Sequence, residues 1–304
     1  MFDIVSVGHF SIDSIFLPDR KTPFVVLGGS AAYVSLAARR LESRVAAISK
    51  VGGDFPEAYQ WWLDQEGVNL SGLKKVETAS TTRFELKYST DLSERTLHLK
   101  SKAPSIDADD LPNPLKAFAI HVAPIAGEVT YEIVEKLKSH ADVLSLDPQG
   151  LVRRFDEGGN ISMGSLLDSR ILDLINVYKS SQSEIQAVTG QTDLVSAVKS
   201  VHNHGVKIVI VTLGSKGALL SVEGTRYDVP VCVPAKLVDP TGAGDAFIGG
   251  FLAEYVNGEN ILRCACVGAA TASFVVEGIG PTFFGDKTQV YQRAHELYEK
   301  GIKQ

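Results

Sequence analysis

Asp239-Pro240-Thr241-Gly242-Ala243-Gly244-Asp245-Ala246-Phe247-Ile248-Gly249-Gly250-Phe251-Leu252 joins a glycine-flexible turn directly to an apolar helical run. The first amides of such a helix have no carbonyl partner, and the aligned peptide dipoles add positive potential beside them. With Gly242, Ala243 and Gly244 in the turn, an anion can approach those amides closely. A phosphoryl group gaining charge in a transition state is such an anion. Asp245 sits in the first turn of the predicted helix, where a carboxylate can cap free amides or accept the proton of an attacking hydroxyl. Gly249 and Gly250 weaken a helix interior, so they predict close packing against a neighbour.

Around this stretch, short apolar runs alternate with helical segments. Residues 4–8, 45–51, 119–123, 143–147, 174–178 and 207–213 read as buried parallel strands. A helix starting near Ser30 carries Ala31, Val34, Ala38 and Leu41 on one face, and further helices are expected over 128–139 and 195–204. Strands alternating with helices predict a doubly wound, mostly parallel α/β sheet with helices on both faces, here as one domain over residues 1–304. Two regions break the rhythm. Residues 11–27 hold a turn at Pro18 and Asp19. In residues 80–101, Phe84, Leu86 and Tyr88 alternate with Arg83, Glu85 and Lys87, and a polar turn at 90–94 leads to Leu97 and Leu99. The period of two predicts antiparallel strands, forming either an edge extension of the main sheet or a small β-sheet lid over the carboxyl ends of its strands.

The bulk numbers narrow the function. Of 304 residues, 44% are hydrophobic and 22% charged, which fits a soluble globular protein with an ample core. A net charge of −6 gives no reason to expect nucleic acid as a partner. Cys264 and Cys266 are too close together for a metal knuckle, and with Cys232 they read as reduced thiols of a cytoplasmic protein. No run reaches the roughly 18 apolar residues of a membrane span, and the N-terminus lacks a signal peptide's basic region and cleavage site. A dehydrogenase is excluded because no G-x-G-x-x-G follows the first strand.

The 239–252 stretch resembles the C-terminal signature of the ribokinase-like (PfkB) carbohydrate kinases, and the resemblance covers nearly the whole chain. It implies transfer of the γ-phosphoryl group of ATP, with Mg²⁺, to a hydroxyl of a small polyol, sugar or nucleoside. It implies further that Asp245 is the catalytic base and that the Gly242, Ala243 and Gly244 backbone forms the anion hole.

Other segments take roles through the same resemblance. Gly28-Gly29-Ser30 looks like the family's N-terminal signature, whose glycines let the backbone approach the substrate; Tyr33 stands where most members carry asparagine. Asp13, after the first strand, would accept hydrogen bonds from substrate hydroxyls, though a surface turn would suit an aspartate too. Gln149, in Asp147-Pro148-Gln149-Gly150, would add a polar contact, with Arg153 following; Arg83 on the lid is a further candidate for a hydroxyl or phosphate. Thr212, Gly214, Lys216 and Gly217 look like the nucleotide-phosphate loop, although a simple turn would need the same glycines. Lys179 through Glu184 aligns with the family's Asn-x-x-Glu motif, with Ser181 replacing the asparagine and Glu184 ordering Mg²⁺ and its waters. Ala270 and Ser273 fall where the family places its adenine wall and a monovalent-cation loop, a composition that helix packing explains as well.

Tyr33, Ser181 and the Asp147-Pro148-Gln149-Gly150 segment together look like the myo-inositol kinase branch, so myo-inositol is the expected acceptor, with a ribose- or fructose-type sugar or a nucleoside as alternative. A non-catalytic sugar or nucleotide sensor on the same fold is the rival of another class. Assembly is expected as a monomer or as a homodimer paired through the lid strands.

Overall fold

The computed structural model describes residues 1–299 and 301, except 19 and 93. Asp19 of the expected turn, Ser93 of the 90–94 turn, and residues 300 and 302–304 of the expected domain lie outside the described residues. The chain enters on β1 (Phe2–Val7), turns through β2 (Ser11–Phe16) and β3 (Phe24–Gly28), and continues through α1 (Ser30–Arg40), β4 (Val45–Gly52), α2 (Glu57–Gln65) and β5 (Asn69–Val76). Next come β6 (Thr82–Tyr88), β7 (Arg95–Ser101), β8 (Ala117–Val122), α3 (Tyr131–Lys138) and β9 (Ala141–Leu146). A single turn, α4 (Gln149–Val152), leads into the hairpin β10 (Arg153–Phe155) and β11 (Ile161–Met163), then β12 (Val177–Ser181), α5 (Gln182–Thr189), α6 (Leu194–His202) and β13 (Ile208–Thr212). The hairpin β14 (Ala218–Val222) and β15 (Thr225–Val229) precedes α7 (Ala243–Tyr255), α8 (Ile261–Val275) and α9 (Lys287–Glu299).

Among the described residues the main sheet has the order β15-β14-β13-β12-β9-β8-β1-β4-β5. From β13 to β5 every pairing is parallel, and β14 and β15 close one edge antiparallel. Parallel strands are covered on both faces, which is why runs such as Ile4-Val5 and Val209-Ile210 are apolar without alternation and fully buried. One face packs against α1, α7, α8 and α9, the other against α3, α5 and α6. Gly249 permits the approach of α1: a Cβ there would lie 2.8 Å from both Ala37 Cβ and the Val34 carbonyl. A Cβ on Gly250 would lie 2.5 Å from Thr271 Oγ1 of α8. The strand expected over 174–178 begins only at Val177. Residues 169–174 form a 3₁₀ turn instead, and Asn176 Oδ1 accepts the Leu144 amide at 2.8 Å.

The small sheet has the order β3-β2-β6-β7. It is mixed and not antiparallel throughout, because β2 and β6 run parallel. Both emerge from the carboxyl edge of the parallel main sheet, β2 after β1 and β6 after β5, and so share a direction. As the alternation predicts, Phe84 and Leu86 are buried, packing with Ile15, Ile125 and Ala126. The root of this lid is tied to the body. Glu128 is fully buried and accepts the amides of His9 at 2.9 Å, Ile125 at 2.9 Å and Ala126 at 2.8 Å. Burial opposes its ionisation, but His9 and these donors prevail and lower its pKa. His9 Nε2 donates to the Pro104 carbonyl at 2.9 Å, and Nδ1 hydrogen-bonds the hydroxyl of Thr82, the first residue of β6, also at 2.9 Å.

Candidate active site

The carboxyl ends of β1, β9, β12 and β13 open toward the N-terminus of α7, the position where an open α/β sheet binds ligands. Gly242 caps that helix in the left-handed region, at φ +77°, and a Cβ there would sit 2.1 Å from the Tyr33 ring. Both the backbone conformation and the space demand glycine. Asp245 occupies the first turn, and the Gln149 side-chain amide donates to its Oδ1 at 3.3 Å while also donating to Ser30 Oγ at 2.7 Å. Burial raises the Asp245 pKa, and the nearby Lys179 charge opposes the shift. A more basic carboxylate is the better proton acceptor.

Two clefts meet at this point. The first is lined by Ser11, Asp13, Gly29, Ser30 and Tyr33 from the body, Phe84, Leu86, Arg95 and Leu97 from the lid, and Ile125, Gln149, Arg153, Thr241, Gly242 and Asp245. The second runs outward past Lys179, Ser181, Glu184 and Thr212, under Tyr88 and Arg95. Arg95, Gln149, Gly242 and Asp245 belong to both. Tyr33 lines the first cleft, and its hydroxyl is buried with no hydrogen-bond partner among the described residues. Gly28 lies beneath the Asp13 carboxylate, where a Cβ would fall 2.0 Å from Oδ2.

In the second cleft Lys179 Nζ pairs with Asp147 Oδ2 at 2.5 Å, and the lysine is 4% exposed. Burial works against its charge, but Asp147, Asp245 and Glu184 outweigh burial and raise its pKa. A Cβ on Gly244 would lie 2.7 Å from Nζ, so the ammonium rests against the first turn of α7 and adds to the positive potential of its N-terminus. Glu184 Oε2 accepts the Ser181 amide at 2.7 Å in a capping box at the start of α5. Among the described residues, no group of three or more His, Cys, Asp or Glu side chains is arranged to hold a metal ion. Glu184 is a carboxylate in this cleft that a divalent cation accompanying phosphate oxygens would meet.

The lid touches the turn that opens α7 directly. Thr241 Oγ1 donates to Asp239 Oδ1 at 2.5 Å, so it accepts from the Tyr88 hydroxyl at 2.8 Å; Tyr88 in turn accepts from Arg95 at 3.3 Å. The other Asp239 oxygen accepts the Gly280 amide at 3.1 Å.

Several expected residues lie elsewhere. Arg83 pairs with Asp54 at 2.7 Å outside both clefts, and it is Arg95, not singled out from the sequence, that lines them. Gly214 and Lys216 form an exposed 3₁₀ turn beyond Thr212, and Gly217 packs against the Val229 carbonyl. Ala270 is buried in the core, while Ser273 donates to the Ala270 carbonyl and accepts from Arg293, and neither lines these two clefts. Asp147, Arg95, Tyr88 and Thr241 are the additions made by the structure; a carboxylate ending a strand within a strand–turn signal was the legible clue to Asp147.

Residues 1–288 match the model of the pfkB family carbohydrate kinases. A cytidine kinase of Thermococcus kodakarensis is 29% identical over 92% of this chain and 98% of its own length. An inositol 3-kinase of Oryza sativa subsp. japonica is 30% identical over 98% of this chain and 73% of its own. The fold is shared, at a TM-score of 0.81 and 22% identity over 97% of this chain and 99% of the other, with a pyrophosphate-dependent myo-inositol-1 kinase converted into a myo-inositol-3 kinase by replacing an asparagine and a serine with leucine. Among the described residues no helix is long and apolar enough to cross a membrane.

Proposed function

The chain belongs to the pfkB family of carbohydrate kinases, phosphotransferases with an alcohol group as acceptor, and within it we propose that this member phosphorylates a polyol, myo-inositol, with ATP as donor. The observation that carries the reading is that Asp245 and the mouth of α7 line both clefts, so an acceptor in one and a donor in the other meet at a base and an anion hole. Asp13, Tyr33 and Gln149 supply hydrogen-bonding groups for acceptor hydroxyls. The rice relative, an inositol 3-kinase, supports myo-inositol and its 3-hydroxyl. So does the neighbour that became a 3-kinase on gaining two leucines eleven positions apart, because Leu86 and Leu97 have the same spacing and line the acceptor cleft. The Thermococcus relative favours a nucleoside as the second reading.

In the proposed reaction the acceptor hydroxyl attacks the γ-phosphorus in line and gives its proton to Asp245. The bond from phosphorus to the β,γ-bridging oxygen breaks and ADP leaves. The amides opening α7 and the Lys179 ammonium stabilise charge on the moving phosphoryl oxygens. Mg²⁺, when bound beside Glu184, supplies further neutralisation of the phosphates. The lid keeps water from competing with the acceptor. A sensor would not need a carboxylate in the first turn of α7 beside a glycine-capped helix mouth, and that pairing favours the kinase.

The test is a coupled assay over cyclitols, pentoses, hexoses and nucleosides, with wild type and Asp245→Asn. The wild type turns over myo-inositol best, and the variant binds donor normally while losing about 10²–10⁴ in kcat. Undiminished turnover by Asp245→Asn refutes the mechanism, and ligand binding by the wild type without turnover of any acceptor indicates the sensor.

A further inference from the structure

Gln149 opens the single turn α4, and Arg153 follows four residues later, so the two side chains lie on one face of that turn. The Arg153 guanidinium forks: Nη1 donates to the Ile125 carbonyl at 3.0 Å and Nη2 to Gln149 Oε1 at 2.6 Å. Arginine carries only donors, so the amide oxygen of Gln149 must be the atom that faces it. The amide nitrogen is thereby turned the other way, where it donates to Ser30 Oγ at 2.7 Å and Asp245 Oδ1 at 3.3 Å. Ser30 Oγ accepts from that amide, which leaves its own hydrogen for the Asp245 carboxylate within its reach.

Resting on the phosphotransferase reading, we propose that Arg153 is a positioning residue, which fixes the orientation of the Gln149 amide and through it aims the Asp245 carboxylate at the acceptor hydroxyl. Reversing the amide would set Oε1 against Oδ1, two acceptors face to face, and would draw the Ser30 hydrogen away from the base. A single rotation therefore costs Asp245 both donors. Donors to a carboxylate favour its charged form, so losing them makes the base titrate at higher pH. The other groups facing Asp245 are Lys179 and Asp147 at the ends of β12 and β9, Arg95 from the lid and Tyr33 from α1. Arg153 also acts on Asp245 through its own charge. That charge effect does not pass through Gln149, so a double-mutant cycle separates it from the orienting role.

The experiment is a cycle of Arg153→Met, Gln149→Leu and the double variant, with kcat, acceptor KM and thermal melts followed across pH on the best acceptor of the panel. Arg154→Met is the control for loosening the β10–β11 hairpin, because that guanidinium holds the carbonyls of Leu151, Arg153 and Ser165 and lines neither cleft. Arg153→Met is expected to lower kcat by about 10–10²-fold, the loss that a misaimed catalytic group produces, with acceptor KM little changed. The acid limb of its kcat profile should move to higher pH, and the double variant should be no slower than Gln149→Leu alone. Should Arg153→Met fold poorly, the same cycle is run with Arg153→Lys, which keeps the charge but cannot fork to two carbonyl oxygens. Wild-type kcat and pH profile in whichever Arg153 variant folds overturn the proposal. So do single losses that multiply in the double variant, a rise confined to acceptor KM, or the same loss and pH shift in Arg154→Met. Each of these leaves the kinase reading standing, whereas no turnover by wild type with any acceptor defeats that reading and the role of Arg153 with it.

Discussion

Replacing Asp13 by asparagine is expected to stabilise the fold above pH 6 while weakening acceptor binding. Asp13 is 5% exposed and receives a hydrogen bond from Ser11 Oγ at 2.7 Å. Burial pushes its pKa up to about 6, Ser11 and Arg95 oppose the shift, and Asp239 adds to it. Compared with 3.8 for an unstrained aspartate, that difference corresponds to about 3 kcal/mol against the folded state when the group is ionised. Between the two pKa values the folded chain holds a proton that the unfolded chain has already released, so stability falls as pH rises through this window. The penalty is full above about pH 6 and fades as pH drops toward 3.8. Asparagine keeps the shape and one acceptor oxygen without the charge. Thermal melts of Asp13→Asn should therefore exceed wild type by several degrees at pH 8 and coincide with it near pH 4. Acceptor KM should rise about tenfold at pH 8, because hydrogen bonds to a charged group exceed neutral ones by roughly 1–1.5 kcal/mol. The reasoning fails if the variant melts at or below wild type at pH 8, or if its gain is constant with pH.

Two further substitutions probe the donor side. Lys179→Gln leaves the fully buried Asp147 carboxylate without its ammonium and should cost about 3–5 kcal/mol in melts or denaturant titration. Adding Asp147→Asn should restore stability but not kcat, which is expected to stay down by about 10²–10³; full recovery of kcat would show that Lys179 only supports the fold. Gly242→Ala forces a Cβ into the Tyr33 ring at φ +77° and should lose about 1–3 kcal/mol together with at least tenfold in kcat; a wild-type melt and rate would refute the placement of the anion hole.

The parallel core was legible because its strands, buried on both faces, are continuous apolar runs, and the lid because Phe84, Leu86 and Tyr88 alternate with charged residues. What escaped was set by register. Arg83 and Arg95 are alike as isolated residues. Pairing places Arg83 opposite Ser101 at the root of the lid, near Asp54, while Arg95 falls opposite Tyr88 at the tip over the clefts. The small residues of α8 were ambiguous for a similar reason. Composition cannot distinguish room for a ligand from room for a helix, and Thr271 and Gly268 meet α7. The helix α2 was obscured because Leu63 is its only buried residue and Trp61 is 65% exposed.

Taken alone, the chain determined its α/β class, its family and the mouth of α7, because each depends on residues adjacent in sequence: glycine conformations, an apolar period, a carboxylate in a first turn. The tertiary structure decided which groups face that mouth. Lys179 meets Asp147 across 32 positions, Gln149 reaches Asp245 across 96, and Tyr88 bonds Thr241 across 153. Such pairs form only where sheet order and strand register bring distant segments together, and no local pattern in the sequence encodes those distances.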